Sequence, residues 1–272
     1  MFPTASFWRM SLPETLLNGP GLQGSLFGSG PIRAASLSTL AQTIWLDDDC
    51  RVDYAPGWLT GADDLFLDLL ELLPWQSHSR WINGQSVREP RLSTTIRRPS
   101  KALGNIAGEL SRHYGRGYIP AWANLYRDGD DGVAWHGDRH RPGSLHEDVA
   151  LVSVGARRPF RIRRRGGGPS RSWTLASGDL LVMRGPAQQR FEHCIPKLAS
   201  SGPRISVAFR CPKGREFDQS IRPGTTGLRR YDHRLQAARL LETSQRPIPS
   251  LEDPHLHVAA TRGQKWEDLT DG

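Results

Sequence analysis

The 272-residue sequence has three cysteines and four lysines, and it has no long apolar run. Cys50, Cys194 and Cys211 lack the paired spacing of a metal cluster and leave one thiol without a mate. That usage does not fit a disulfide-stapled secreted domain, so a reducing, cytoplasmic setting is expected. A membrane span needs about 18 consecutive apolar residues. Nothing here approaches it, so no membrane partner is expected. The opening Met1-Phe-Pro-Thr-Ala-Ser-Phe-Trp-Arg9 has no charged segment leading into an apolar run, so no secretory signal is expected either. The scarcity of lysine makes the basic charge almost wholly arginine: 32 Arg against 4 Lys, for a net charge of +8. Arginine is the better fork for phosphate and carboxylate, although genomic base composition accounts for such a skew equally well.

Hydrophobic content is 37%, with 28 Gly and 20 Pro, which favours strands and turns over long helices. Residues 1–42 show no sustained period and read as a loosely attached arm. Ile44-Trp45-Leu46 and Val52-Asp53-Tyr54 read as strands. Apolar residues at Leu65, Phe66, Leu69, Leu70, Leu72 and Leu73 predict a helix over 61–73, with Asp63 and Asp64 in its first turn and Pro74 ending it. Trp75 to Arg98 is polar and basic. It is either a solvated loop or a nucleic-acid groove with Trp81 as a stacking surface. A second helix is expected from an N-cap at Ser100 to Gly115.

From residue 118 the period becomes two. Strands are expected at Tyr118–Tyr126, Val133–Asp138, Val149–Val154, Phe160–Arg163, Trp173–Leu175, Asp179–Met183 and Arg204–Arg210, a spacing typical of a sandwich or barrel. A domain over 43–212 follows, with an extension over 213–272 carrying an amphipathic helix at 228–241.

Two His-x-Asp pairs, His136-Gly-Asp138 and His146-Glu-Asp148, could each place an imidazole and a carboxylate on one strand face. With a distant His193, either would supply the two-His-one-carboxylate set of a non-haem Fe(II) oxygenase. On the last strand, Arg204, Ser206, Ala208 and Arg210 share one face and Ile205, Val207 and Phe209 the other. Two inward arginines need anions to meet them, and a slender dicarboxylate would serve. Asn124 and Tyr126 repeat the spacing on another strand. The residues alone leave a solvated edge strand open as an alternative.

Asn124-x-Tyr126-x-Asp-Gly-x-Asp-x-x-x-Trp-His136-x-Asp138, then Gly-Asp-Leu-Leu-Val-Met, His193 and Pro-Arg204-Ile-Ser-Val-Ala-Phe-Arg210 together resemble the AlkB branch of the Fe(II)/2-oxoglutarate dioxygenases, over residues 58–211. The resemblance implies a mainly β fold with flanking helices (α+β), built on a double-stranded β-helix (jelly-roll) core with an N-terminal nucleotide-recognition lid. It selects His136, Asp138 and His193 as metal ligands over His146 and Asp148. It implies Fe(II), 2-oxoglutarate and O2 as cofactors, with Arg204 and Tyr126 at the distal carboxylate and Arg210 and Asn124 at the chelated end. The implied reaction is oxidative dealkylation of N-methyl bases such as 1-methyladenine or 3-methylcytosine in DNA, releasing formaldehyde, succinate and CO2.

Seven arginines and no acid between Arg157 and Arg171 suggest a phosphate-tracking hairpin. Trp81, Trp135, Arg161, Arg163, Arg164 and Arg165 are the candidate nucleic-acid contacts, and a monomer is expected. One departure from the family pattern stands out: Arg139-His140 occupy the place where a base-reading acid is common. The alternatives are the same chemistry on RNA, a protein or a small molecule, or a non-catalytic nucleic-acid-binding module.

Overall fold

The computed structural model describes residues 29–82, 84–138 and 148–211. The expectations for residues 1–28, for Arg139-His140, for His146 and for the helix at 228–241 lie outside the described residues. The first half of the chain runs β1 (Arg33–Ala34), α1 (Leu37–Leu40), β2 (Gln42–Trp45), β3 (Arg51–Ala55), β4 (Leu59–Thr60), α2 (Ala62–Leu72), β5 (Gln76–Ile82), β6 (Gln85–Thr95) and α3 (Lys101–Tyr114). The second half runs β7 (Ile119–Tyr126), β8 (Val133–His136), β9 (Val149–Gly155), β10 (Arg158–Arg164), β11 (Ser170–Leu175), β12 (Leu180–Arg184), α4 (Ala187–Arg190), β13 (Phe191–Ile195) and β14 (Arg204–Arg210).

An eight-stranded antiparallel sheet, ordered β2-β3-β12-β9-β14-β7-β6-β5, packs on a four-stranded sheet ordered β11-β10-β13-β8. This is the expected jelly-roll core. Alternation on β14 divides the interior in two. Ile205, Val207 and Phe209 join the cluster containing Leu65, Phe66, Leu69, Leu103, Ile106 and Leu110 of α2 and α3. Burying each such side chain contributes roughly 1.5–3 kcal/mol, so the two helices are held by their apolar stripes. Ala208 faces the opposite way, into the space between the sheets, with Tyr126, Leu151, Phe160, Ile162 and Phe191. The site lies on that inner side.

Ser100 caps α3 as expected, its Oγ accepting from the Leu103 N–H at 3.3 Å, and Gly115 follows the helix in the left-handed region. The Asp of Gly-Asp-Leu-Leu-Val-Met is structural: Asp179 accepts from the Tyr54 hydroxyl at 2.8 Å and from the N–H groups of Gly57 (2.8 Å) and Ala176 (2.9 Å).

Three expectations are corrected. The segment read as an arm up to residue 42 enters the fold earlier. β1 pairs with β4, Leu37 is buried, and Trp58 Nε1 donates to the Ala35 carbonyl at 2.8 Å. The Trp75–Arg98 segment, with a solvated loop as one of its two readings, is largely the β5–β6 hairpin, extending the large sheet beyond β7. The strand expected over Val133–Asp138 stops at His136, so Asp138 lies just past the ladder.

Candidate metal centre and co-substrate pocket

His136 and His193 are direct cross-strand partners on β8 and β13. Their rings lie 4.4 Å apart between centroids, and Asp138 Oδ1 approaches His136 Nε2 at 3.7 Å and His193 Nε2 at 3.8 Å. All three ligand atoms fall within 4.8 Å of one another. Ligands bonded at about 2.1 Å to one ion stand about 3 Å apart, so the cluster needs only a small contraction to hold a cation. Among the described residues it is the one group of three or more His, Cys, Asp or Glu so placed.

Each ligand is prepared by its surroundings. His136 Nδ1 lies 2.9 Å from the Ala134 carbonyl, which can only accept. The proton therefore sits on Nδ1, and Nε2 presents its lone pair to the cluster. Burial pulls the His193 pKa down to about 4, against the raising effect of Asp138, so its imidazole is neutral at pH 7. Phe160 stacks on that ring at 5.3 Å. Burial pushes the Asp138 carboxyl up, but His193, charged in the acid range where a carboxyl titrates, together with Arg210 and His136, outweighs it and holds the group below its usual range. Arg210 Nη2 contacts Asp138 Oδ2 at 2.9 Å, which leaves Oδ1 turned to the imidazoles.

Beside the cluster lies a strongly cationic interior. Arg204, at 1% exposure, donates from Nε to Ser153 Oγ at 2.9 Å, while Nη1 and Nη2 have no hydrogen-bond partner among the described residues. Burial drops its pKa to about 10, with Arg158 adding repulsion; it stays charged at pH 7. Tyr126 faces Arg204 across the β7–β14 ladder, its ring 5.4 Å from the guanidinium carbon, and Asn124 faces Ser206 two residues along. Leaving a buried guanidinium unpaired is costly. A carboxylate is the complement this pocket calls for, and the inward face expected for Arg204, Ser206, Ala208 and Arg210 is the one observed.

Sequence reasoning missed Arg158. It is fully buried, and its Nη atoms donate to the carbonyls of Asp128 (2.6 Å), Asp131 (2.6 Å) and Pro196 (2.9 Å). It thereby joins the turn before β8 to the end of β13, the two strands that carry the imidazoles. The signal was available, because Arg158 shares parity with the inward Phe160 and Ile162.

The other His-x-Asp pair contributes its acid to structure. Asp148 is buried and accepts from Arg184 Nε at 3.1 Å and the Gly185 N–H at 3.3 Å, with Arg116 Nη1 at 3.4 Å.

The candidate nucleic-acid contacts divide. Trp81, on the β5–β6 hairpin, is 78% exposed. Arg161 is exposed on β10, and Arg164 is largely so, with Asp47 at 3.4 Å. Arg163 and Arg165 also make bonds within the protein. Arg163 Nε binds Glu192 at 2.7 Å and its guanidinium covers the Trp135 ring at 4.0 Å, which also occupies Trp135. Arg165 turns onto α4, donating to the carbonyls of Gln189 (3.0 Å) and Gln188 (3.2 Å).

The sequence profile of the 2OG-Fe(II) oxygenase superfamily matches residues 70–210, just over half of the chain. The alkB homolog 3 dioxygenase of Bos taurus is 27% identical over 187 residues, 59% of this chain and 65% of that protein. The DNA oxidative demethylase ALKBH2 of Bos taurus is 36% identical over 117 residues, 40% of this chain and 42% of that protein. The chain thus spans less than two thirds of the length of these relatives. A solved 2OG-Fe(II) oxygenase-family oxidoreductase from Burkholderia pseudomallei aligns with a TM-score of 0.44 at 14% identity, covering 61% of this chain and 86% of that one. The chain belongs to the 2OG-Fe(II) oxygenase superfamily, and its relatives by sequence include alkB homologues.

Proposed function

We propose that this protein is an Fe(II)/2-oxoglutarate-dependent dioxygenase that removes N-methyl groups from nucleobases, of the 1-methyladenine and 3-methylcytosine type, in DNA. The observation that carries the reading is the pairing of a His-Asp-His cluster with a buried arginine whose Nη atoms have no hydrogen-bond partner among the described residues, on the same inner face. His136, Asp138 and His193 would hold the iron, which supplies O2 activation at the expense of 2-oxoglutarate. Arg204 and Tyr126 would bind the distal carboxylate of the co-substrate, and Arg210 and Asn124 would serve its other end.

Nucleic acid as substrate is supported by the β5–β6 hairpin. Its Trp81 stands out into solvent, and Arg161 and Arg164 offer cations on the smaller sheet. An exposed indole is a stacking platform for an unpaired base, and a methyl hidden in a base pair must first be flipped out. The names of the relatives, a DNA oxidative demethylase among them, support the same class. The thiols of Cys50, Cys194 and Cys211 are unbridged, in keeping with work in a reducing, cytoplasmic compartment.

The test is incubation with Fe(II), 2-oxoglutarate and single-stranded DNA or RNA oligonucleotides bearing one methylated base, read by oligonucleotide mass. Loss of 14 mass units, about one CH2, from the DNA is expected. Loss from RNA alone would move the substrate to RNA. Succinate release with every oligonucleotide unchanged would assign the chemistry to another substrate.

A further inference from the structure

Asp138 lies beyond the end of β8, so no ladder hydrogen bond fixes its backbone. Its N–H instead donates to the side-chain carbonyl Oε1 of Gln188 at 3.2 Å. Gln188 is 4% exposed and sits on α4, the short helix that runs directly into β13 and His193. Among the described residues its other polar side-chain atom, Nε2, finds the weak acceptor Met183 Sδ at 3.4 Å. A sulfur contact of that kind does little to fix an amide, so the Asp138 N–H is the stronger of its two side-chain bonds.

The same turn is also covered by Arg165. Its backbone N–H donates to the Arg190 carbonyl at 2.9 Å and its guanidinium to the carbonyls of Gln189 and Gln188, so it closes the C-terminal end of α4. Gly137 lies directly beneath that guanidinium. A Cβ there would come within 2.2 Å of Arg165 Nη2 and 2.8 Å of the Gln188 carbonyl oxygen. The residue between the two ligands is therefore glycine for want of space.

We infer that Gln188 and Arg165 are positioning residues that clamp the His136-Gly137-Asp138 turn to α4, coupling the Asp138 backbone to the segment that carries His193. The carboxylate is then held at both ends, by Arg210 at Oδ2 and by Gln188 at the backbone N–H. The clamp rests on the assignment of the triad as the metal site. It also gives an arginine of the basic β10–β11 hairpin a role inside the protein.

The test is Mn(II) titration of the full chain without co-substrate, following free Mn(II) by its electron paramagnetic resonance, alongside thermal unfolding of the metal-free protein. Removing an outer partner of a metal ligand costs roughly ten- to hundred-fold in affinity. Gln188→Leu, which keeps volume but not the acceptor, is expected to weaken Mn(II) binding by that factor while metal-free unfolding moves only slightly. Gln188→Glu, which keeps an acceptor oxygen, is expected to restore binding. Gly137→Ala, whose Cβ would displace Arg165 and press on the Gln188 carbonyl while leaving the Gln188 side-chain amide unchanged, is expected to weaken it too. Wild-type affinity in both Gln188→Leu and Gly137→Ala overturns the clamp, as does a loss of metal-free stability in both with affinity unmoved in whichever still folds. If His136→Ala binds Mn(II) like wild type, the triad reading fails and the clamp with it.

Discussion

Replacing Arg204 with methionine removes a buried charge while keeping most of the side chain's length. In the wild type, burial lowers the guanidinium pKa to about 10. At about 1.4 kcal/mol per pH unit, that fall from the ordinary arginine range corresponds to roughly 3 kcal/mol of unfavourable desolvation and repulsion. The attraction of Tyr126 is already within that net fall. The Nε bond to Ser153 offsets about 1 kcal/mol of it, and the packing lost with the guanidinium roughly as much again. Arg204→Met should therefore leave the protein without co-substrate as stable as wild type or about 1 kcal/mol more stable, roughly 2–4 °C in Tm for a domain of this size. With 2-oxoglutarate and Mn(II) the order should invert. Wild type gains about 2.7 kcal/mol at a ligand concentration of 100 Kd, and the variant gains almost nothing from 2-oxoglutarate. Thermal unfolding with and without the co-substrate measures both. A variant several degrees less stable alone, yet still raised by 2-oxoglutarate as much as wild type, would refute the reading of Arg204 as an arginine waiting for a carboxylate.

Three further outcomes are expected. Burial raises the Asp131 carboxyl, but its bonds from Arg127 N, Nε and Nη2, each 2.8 Å, outweigh that and hold it below its usual range. Its contribution is therefore present above the unfolded carboxyl's pKa of about 4 and lost as pH falls through the lower folded value. Asp131→Asn should cost roughly 1–2 kcal/mol at pH 7 in urea unfolding, with Arg127 partly screened, and the gap should close in strong acid. A gap that persists there would remove the ionic account. Trp81→Ala should leave stability within about 0.5 kcal/mol, because the indole is exposed, yet weaken single-stranded oligonucleotide binding about ten-fold by fluorescence anisotropy. Unchanged affinity would remove Trp81 from the interface. Arg164→Ala should weaken binding and reduce the slope of log K against log salt by about 0.7 for single strands; an unaltered slope would leave Arg164 to Asp47 alone.

The parts of the fold that alternate are the parts legible from sequence. On β14, period two is enough to turn Arg204 and Arg210 inward, and the apolar stripes of α2 and α3 define which side each helix buries. The β5–β6 hairpin escapes because much of β6 is exposed and polar, so neither face contrasts with the other. His-x-Asp spacing fits a strand, yet the strand ends at His136 and the next two residues lie against Gln188 and Arg165, 50 and 28 positions away, which no local pattern reveals. Arg158 lies in a run of arginines whose composition alone reads as surface charge. Composition cannot separate a buried arginine that donates to three backbone carbonyls from one in solvent, although strand parity can.

The most direct measurement follows succinate and repaired base together, with Fe(II), 2-oxoglutarate and a DNA oligonucleotide carrying 1-methyladenine, for wild type and His136→Ala. The expected result is one succinate per base restored in wild type and neither product from His136→Ala. Full turnover in His136→Ala, or no turnover of the co-substrate by metal-loaded wild type, would contradict the account.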